Sequence, residues 1–242
     1  MSSEPITVLA DNPRWIAVFK PVGVAAIPAR AEDPELSLRH RLQAQLAAPL
    51  WVVHRIDRET SGVMLFARDA DAHRALNLAF QRQQVGKTYL AWTAGAPATP
   101  HGRIELPLHT ARKGKMRPAQ AGESGALAAC TDYVLEEQWQ RGDTAVARLR
   151  CHPRSGRQHQ IRVHLRALGC PILRDGLYGL ATFKPPFDGL PLARLALHAA
   201  AIEMPRVGEQ PAQRVEAPLA TDLRVLEAAL HRACTPTFGP SA

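Results

Sequence analysis

Two long runs rich in β-branched and apolar residues, 126–139 and 144–152, flank the four-residue link Gln140-Arg141-Gly142-Asp143. This arrangement restricts the fold more than any other feature, because two such runs joined by a short glycine-bearing link close as an antiparallel hairpin with its turn at Gly142. A sheet must therefore frame the chain. Shorter apolar runs predict further strands over 15–20, stopped by Pro21 and Gly23, and over 51–55, 63–68, 87–94 and 195–204.

Helical signals fall between these runs. Ser37 is placed to cap a helix in which Leu38, Leu42 and Leu46 recur every four residues, and Asp69 to cap one in which Ala72, Ala75, Leu76, Ala79 and Phe80 share a face. A helix over 158–168 should stop at Gly169, with Pro171 beyond, and a closing helix is expected over 222–232. In the former, Ile161, Leu165 and Leu168 make an apolar side, while His159, Arg162 and Arg166 make a cationic one. Residues 95–125, including Ala111-Arg112-Lys113-Gly114-Lys115-Met116-Arg117, read as an exposed basic loop, and 181–192 as a Pro-rich connection. The sum is an α+β fold: a single domain on a mixed, largely antiparallel central sheet with flanking helices and loops. It is expected over 14–233, after an N-terminal lead over 1–13 and before a flexible tail over 234–242.

Charge narrows the possible partners. The 242 residues carry a formal net charge of +8, and nearly all of it comes from 144–174, which holds Arg148, Arg150, Arg154, Arg157, Arg162, Arg166 and Arg174 and no acidic residue. A block of guanidinium groups matches phosphate oxygens in a bidentate way, so the expected partner is a nucleic acid. No stretch has the apolar length to span a bilayer and no signal peptide opens the chain, so a cytoplasmic protein without membrane partners is expected. The four cysteines, without a CxxC pair, read as reduced small hydrophobes. His159 and His164 lack metal-pair spacing, and no glycine loop of a nucleotide site is present, so neither metal nor nucleotide cofactor is expected.

The stretch His54-Arg55-Ile56-Asp57-Arg58-Glu59-Thr60-Ser61-Gly62 sets one carboxylate between two predicted strands and two arginines. A neighbouring cation favours the ionised form, which suits a nucleophile or base; a turn in which Asp57 merely forms a salt bridge fits the same pattern. The whole string resembles the HRLDxxTSG signature of the RluA family of RNA pseudouridine synthases, with Ile56 in place of leucine. Lys87-Thr88-Tyr89-Leu90-Ala91 is similar to the family's KxYxA segment, 155–165 to its GRTHQIRVHL segment, 167–172 to ALGHPI, and Lys20-Pro21-Val22-Gly23 to KPxG. The likeness runs from about residue 14 to 205.

That resemblance implies isomerisation of a specific uridine in structured RNA, rRNA or tRNA, to pseudouridine without a cofactor. It implies Asp57 as the catalytic aspartate, either attacking the ribose anomeric carbon or removing a ribose proton, Arg162 as the arginine paired with it, and Tyr89 as the ring at the base pocket. Arg55 matches the residue that fills the stack when the uridine is extruded, and Ile161 an apolar residue of the pocket. Arg154, Arg157 and Arg166 are the expected phosphate contacts. The chain is expected to act as a monomer and to lack the separate N-terminal RNA-binding module of many relatives. It departs from the family pattern at Arg174, where glycine precedes the aspartate, and over 24–27. Two other functions fit parts of the sequence: a non-catalytic RNA-binding or ribosome-assembly factor on the same fold, and a nucleoside hydrolase with Glu59 as its acid.

Overall fold

In the computed structural model, the first strands are β1 (Val8–Asp11) and β2 (Trp15–Lys20), an antiparallel pair. The structure describes residues 4–28, 33–179, 189–207, 209 and 211–238. Helix α1 (Leu38–Leu46) starts where expected, with the Ser37 hydroxyl accepting the His40 amide at 3.4 Å. After β3 (Trp51–Val52) and β4 (Ser61–Ala67) comes α2 (Ala70–Gln81), capped by Asp69, whose carboxylate accepts the Ala72 amide at 2.8 Å. Strand β4 lies antiparallel to β2, with Ile16 opposite Phe66 and Val18 opposite Met64. These four residues, with Leu38 and Leu42 of α1 and Leu50, form one fully buried cluster. Each large apolar side chain so buried contributes about 1.5–3 kcal/mol, which is why the every-fourth-residue leucines decide where α1 packs.

The next segment opens with β5 (Gly86–Ala94) and contains three short strands in the stretch expected to be a loop: β6 (His101–Glu105), β7 (Leu108–Thr110) and β8 (Met116–Pro118). The correction has a simple cause. These strands are three to five residues long, and the long neighbour β9 (Cys130–Arg141) supplies the partner that makes β6 a strand, while β7 and β8 pair with each other. The predicted hairpin is β9 with β10 (Thr144–Pro153), and Gly142 has the left-handed φ of 58° that its turn requires. Helix α3 (Gln160–Ala167) follows and stops at Gly169, whose φ is 84°. Of the Pro-rich connection, 181–188 lies outside the described residues.

Strand β11 (Leu197–Met204) then pairs with β4 in parallel, His198 opposite Ser61 and Ala199 opposite Gly62, and on its own account with antiparallel β12 (Gln213–Glu216). Helix α4 (Thr221–Ala233) leads into β13 (Thr235–Phe238). Within the expected tail over 234–242, β13 joins the edge of β9 at Gln138–Gln140 that β6 leaves open, so these four residues have a strand to pair with, while 239–242 lie outside the described residues. The chain divides into two compact units. One comprises residues 1–87 and 198–220 and is built on β1, β2, β4, β11 and β12; the other comprises 88–197 and 221–242 and is built on β5, β10, β9, β6 and β13. The fold is α+β with mixed, largely antiparallel pairing, and β4 and β11 pair in parallel.

Candidate active site

Asp57 lies in the loop between β3 and β4, half-buried, with Arg55 exposed two residues before it and Ile56 buried between them. The predicted strand over 51–55 ends instead at Val52. The reason is His54, whose Nε2 accepts the amide of Leu65 in β4 at 2.9 Å while the ring stacks on Phe80 of α2 at 4.9 Å between centroids. A side chain thus takes the ladder position that a strand carbonyl would fill, and the backbone is released to form the loop.

A second tether comes from Lys20, fully buried at the end of β2. Its ammonium donates to the carbonyls of Pro21 at 2.9 Å, Val24 at 2.8 Å and Arg58 at 3.0 Å, and the amide of Gly23 also donates to Arg58 O at 2.9 Å. The Lys20-Pro21-Val22-Gly23 segment is therefore a clamp on the residue after Asp57. Beyond the loop, Gly62 has φ of 120°, and a Cβ there would stand 2.1 Å from the Ala199 carbonyl oxygen, so only glycine lets β11 run alongside. Ser61 Oγ and His198 Nδ1, 2.9 Å apart, close the same contact.

Burial pushes the His54 pKa down to about 3, with the Lys87 charge as the second cause, and the bond accepted from Leu65 likewise needs the neutral ring. Lys87, opening the Lys87-Thr88-Tyr89 segment, is itself pushed down to about 8 by burial. The folded histidine therefore resists protonation that the unfolded one accepts below about pH 6.5. Stability is complete above that value and falls as pH is lowered, by about 1–2 kcal/mol between pH 6.5 and 5. Urea unfolding at the two pH values should show this loss in the native chain and a smaller one in His54→Gln; equal losses would remove His54 as its source.

Tyr89 and the residues of α3 belong to the other unit. Tyr89 is half-buried on β5 opposite Cys151 of β10, and Ile161 is buried at the start of α3. The entry to α3 is fixed by Gln160, whose amide donates to Cys130 O and Thr131 Oγ1, each at 2.9 Å, and accepts from Ser155 Oγ at 2.7 Å. His164 Nδ1 meets Thr131 Oγ1 at 2.9 Å and its Nε2 meets Leu106 O at 3.0 Å, a structural role that burial supports by lowering its pKa.

Arg162 departs from the expected solvent-facing cationic side. Its side chain is 2% exposed and binds Asp175, 1% exposed, through two parallel bonds of 2.8 Å, Nε to Oδ2 and Nη2 to Oδ1. Asp175 Oδ1 also accepts the amides of Leu177 and Tyr178 at 2.9 and 3.0 Å. Burial works to raise the Asp175 pKa, but the guanidinium outweighs it and holds the carboxyl below the usual range. The Tyr178 ring lies 5.1 Å from the Arg162 guanidinium carbon, and its hydroxyl meets His159 Nδ1 at 2.7 Å and the Met116 amide at 2.8 Å. Asp175 and Tyr178 were not singled out from the sequence, although Asp175 could have been noticed as the first carboxylate after seven arginines. Lys20 was quoted only within its motif; a lysine closing an otherwise apolar strand was its signal.

The arginine block is less available to a partner than its sequence suggests. Arg148 pairs with Glu136, Glu137 and Glu227, Arg150 with Glu136, and Arg154 with Asp132 at 2.6 Å. Arg157 is exposed and donates to Ala128 O at 3.1 Å, and Arg166, also exposed, donates to Tyr178 O at 2.8 Å. Of the three expected phosphate contacts, Arg154 thus carries a carboxylate partner, whereas Arg157 and Arg166 keep their full charge on different segments.

Comparison with known proteins gives one consistent answer. Residues 14–167 match a family model described as RNA pseudouridylate synthase. The chain is 34% identical over 192 residues to the dual-specificity RNA pseudouridine synthase RluA of Yersinia pestis, covering 79% of this chain and 88% of that one. It is 35% identical to the ribosomal large subunit pseudouridine synthase D of Xylella fastidiosa, over 93% and 70% of the two chains. Among solved structures, human RNA pseudouridylate synthase domain containing 1 shares the fold with a TM-score of 0.77, over 99% of this chain and 91% of that one at 23% identity.

Proposed function

The chain belongs to the RluA family of RNA pseudouridine synthases, and on that premise we propose that it converts one specific uridine of rRNA or tRNA to pseudouridine in the cytoplasm, with Asp57 as the reacting carboxylate. The observation that carries this reading is the loop itself. A half-buried Asp57 sits between the His54 anchor and the Lys20 clamp, so the carboxylate is presented from a fixed backbone without being enclosed in the core.

The uridine must leave the RNA stack for its glycosidic bond to be reached, at a cost of a few kcal/mol. Exposed Arg55, beside Asp57, offers a planar guanidinium to occupy the vacated space, which offsets part of that cost. Asp57 then acts either on the anomeric carbon or on a ribose proton, and both routes need an ionised carboxylate. The N1–C1′ bond breaks, the base turns, its carbon 5 is joined to C1′ of the ribose, and the proton on carbon 5 is lost while N1 gains one. The family motifs support Tyr89 as the ring against the uracil, Ile161 as apolar lining, and Arg162 as the cation matched to the aspartate. Rigid holding by Asp175 suits a guanidinium that must keep one orientation. Arg154, Arg157 and Arg166 remain the proposed backbone contacts, Arg154 only on giving up Asp132.

The test is pseudouridine mapping of total RNA from cells with and without the gene, then reconstitution of the purified chain on the affected transcript. Retention of the base in the RNA is expected; release of free uracil would make the protein a hydrolase. In the same assay Tyr89→Phe should keep RNA affinity within about twofold and slow turnover by about 10²-fold, the range of a lost proton-handling group. Unchanged turnover would leave the ring as a stacking surface.

A further inference from the structure

Among the described residues, four that are not glycine have a left-handed φ: Ala47 at 49°, Gln83 at 57°, His159 at 53° and Arg174 at 57°. Ala47 and Gln83 end helices α1 and α2, where this conformation closes the last turn, and His159 caps α3 with its ring held by the Tyr178 hydroxyl. Arg174 ends no helix. The Asp175 amide donates to Ile172 O at 3.3 Å, so 172–175 is a β-turn with Arg174 at its third position, where a positive φ favours glycine. Both neighbours are pinned. Leu173 is buried and its amide donates to Trp92 O at 2.8 Å, and Asp175 is locked to Arg162. The turn cannot relax around the side chain, so the chain carries backbone strain that glycine would remove, and such strain is characteristically kept where it serves a function.

The surroundings indicate which function. Arg174 is exposed and, among the described residues, has no acidic partner. Lys115 Nζ donates to Leu177 O at 3.4 Å, and Arg166 Nη1 donates to Tyr178 O at 2.8 Å and Gly179 O at 3.2 Å. Three cations therefore converge on residues 174–179, whose one carboxylate, Asp175, is buried and engaged by Arg162. Arg148, Arg150 and Arg154 face glutamates or Asp132; here the positive charge is left for an outside partner.

We propose that Arg174, with Lys115 and Arg166, forms a docking patch for the phosphate backbone of the RNA, and that the strained turn is retained to present Arg174 to it. The proposal rests on the RNA-modifying function given above and adds a contact at a position where the family pattern has glycine.

Binding of fluorescently labelled unfractionated tRNA should be followed by anisotropy between about 50 and 200 mM NaCl, together with thermal melting. Arg174→Gly is expected to melt at the native temperature or higher, yet to bind about 3- to 10-fold more weakly, with the slope of log affinity against log salt reduced by about one. Arg174→Lys should keep the native slope. A glycine variant with native affinity and slope, or a lysine variant that loses slope as glycine does, would overturn the patch while leaving the function intact. Absence of salt-dependent binding by the native chain would overturn both.

Discussion

Replacing Asp57 by asparagine is expected to lower isomerisation by about 10⁴-fold or more while RNA binding stays within about twofold, because the side chain keeps its size and loses the charge on which either route depends. The backbone frame of the loop is also held by bonds that do not involve that charge. Thr60 N bonds the Asp57 backbone carbonyl at 3.1 Å, Lys20 holds the Arg58 carbonyl, and His54 holds Leu65. The variant should therefore melt near the native temperature, and single-turnover kinetics with saturating enzyme will report the chemical step alone. Turnover at the native rate would take Asp57 out of the reaction.

The second large effect concerns the buried Arg162–Asp175 pair. Asp175→Asn preserves an oxygen for the Leu177 and Tyr178 amides but removes one charge of a buried, doubly bonded ion pair, and breaking such a pair from one side costs about 3–5 kcal/mol. For a chain of this size that corresponds to roughly 6–20 °C in melting temperature. Removing both charges of the pair by Arg162→Met with Asp175→Leu should cost markedly less, since neither charge of the pair is left buried. If the single and double variants unfold at the same denaturant concentration, the pair is not what stabilises this region. The pH window separates this effect from that of His54. A carboxylate whose folded pKa is depressed stabilises above its unfolded value near 3.8 and loses that contribution only as pH falls through the lower folded value, well below the window of the histidine.

Much of this architecture was legible in the sequence wherever local signals and burial agree. Ser37 and Asp69 cap the helices they were expected to cap, and the leucines of α1 lie in the core. The hairpin of β9 and β10 turns at Gly142. What escaped was held by distant partners. Strands β6, β7, β8 and β13 have too few residues for periodicity to register and exist because an edge is available to them. The arginine block illustrates the same limit. Along the chain it has no acidic neighbour, but strand pairing sets Glu137 opposite Arg148 and places Glu136 and Asp132 on the adjoining strand. Having predicted that hairpin, one could have read the charges across it. The Arg162–Asp175 pair needed the turn at 172–175, which no periodicity announces.

The parallel contact of Gly62 and Ser61 with β11 also bears on how the protein is made. Ser61 and His198 are separated by 137 positions in the chain, and translation adds about 5–20 residues per second, so the loop bearing Asp57 waits many seconds on the ribosome before its flanking strand exists. Closing so distant a contact is slow, because the chain's entropy must be overcome before the pairing compensates. A nascent chain consequently carries the loop of Asp57 long before it carries the strand that flanks it, and completion of that loop's surroundings is timed by the arrival of Ala199 and not by emergence of the aspartate.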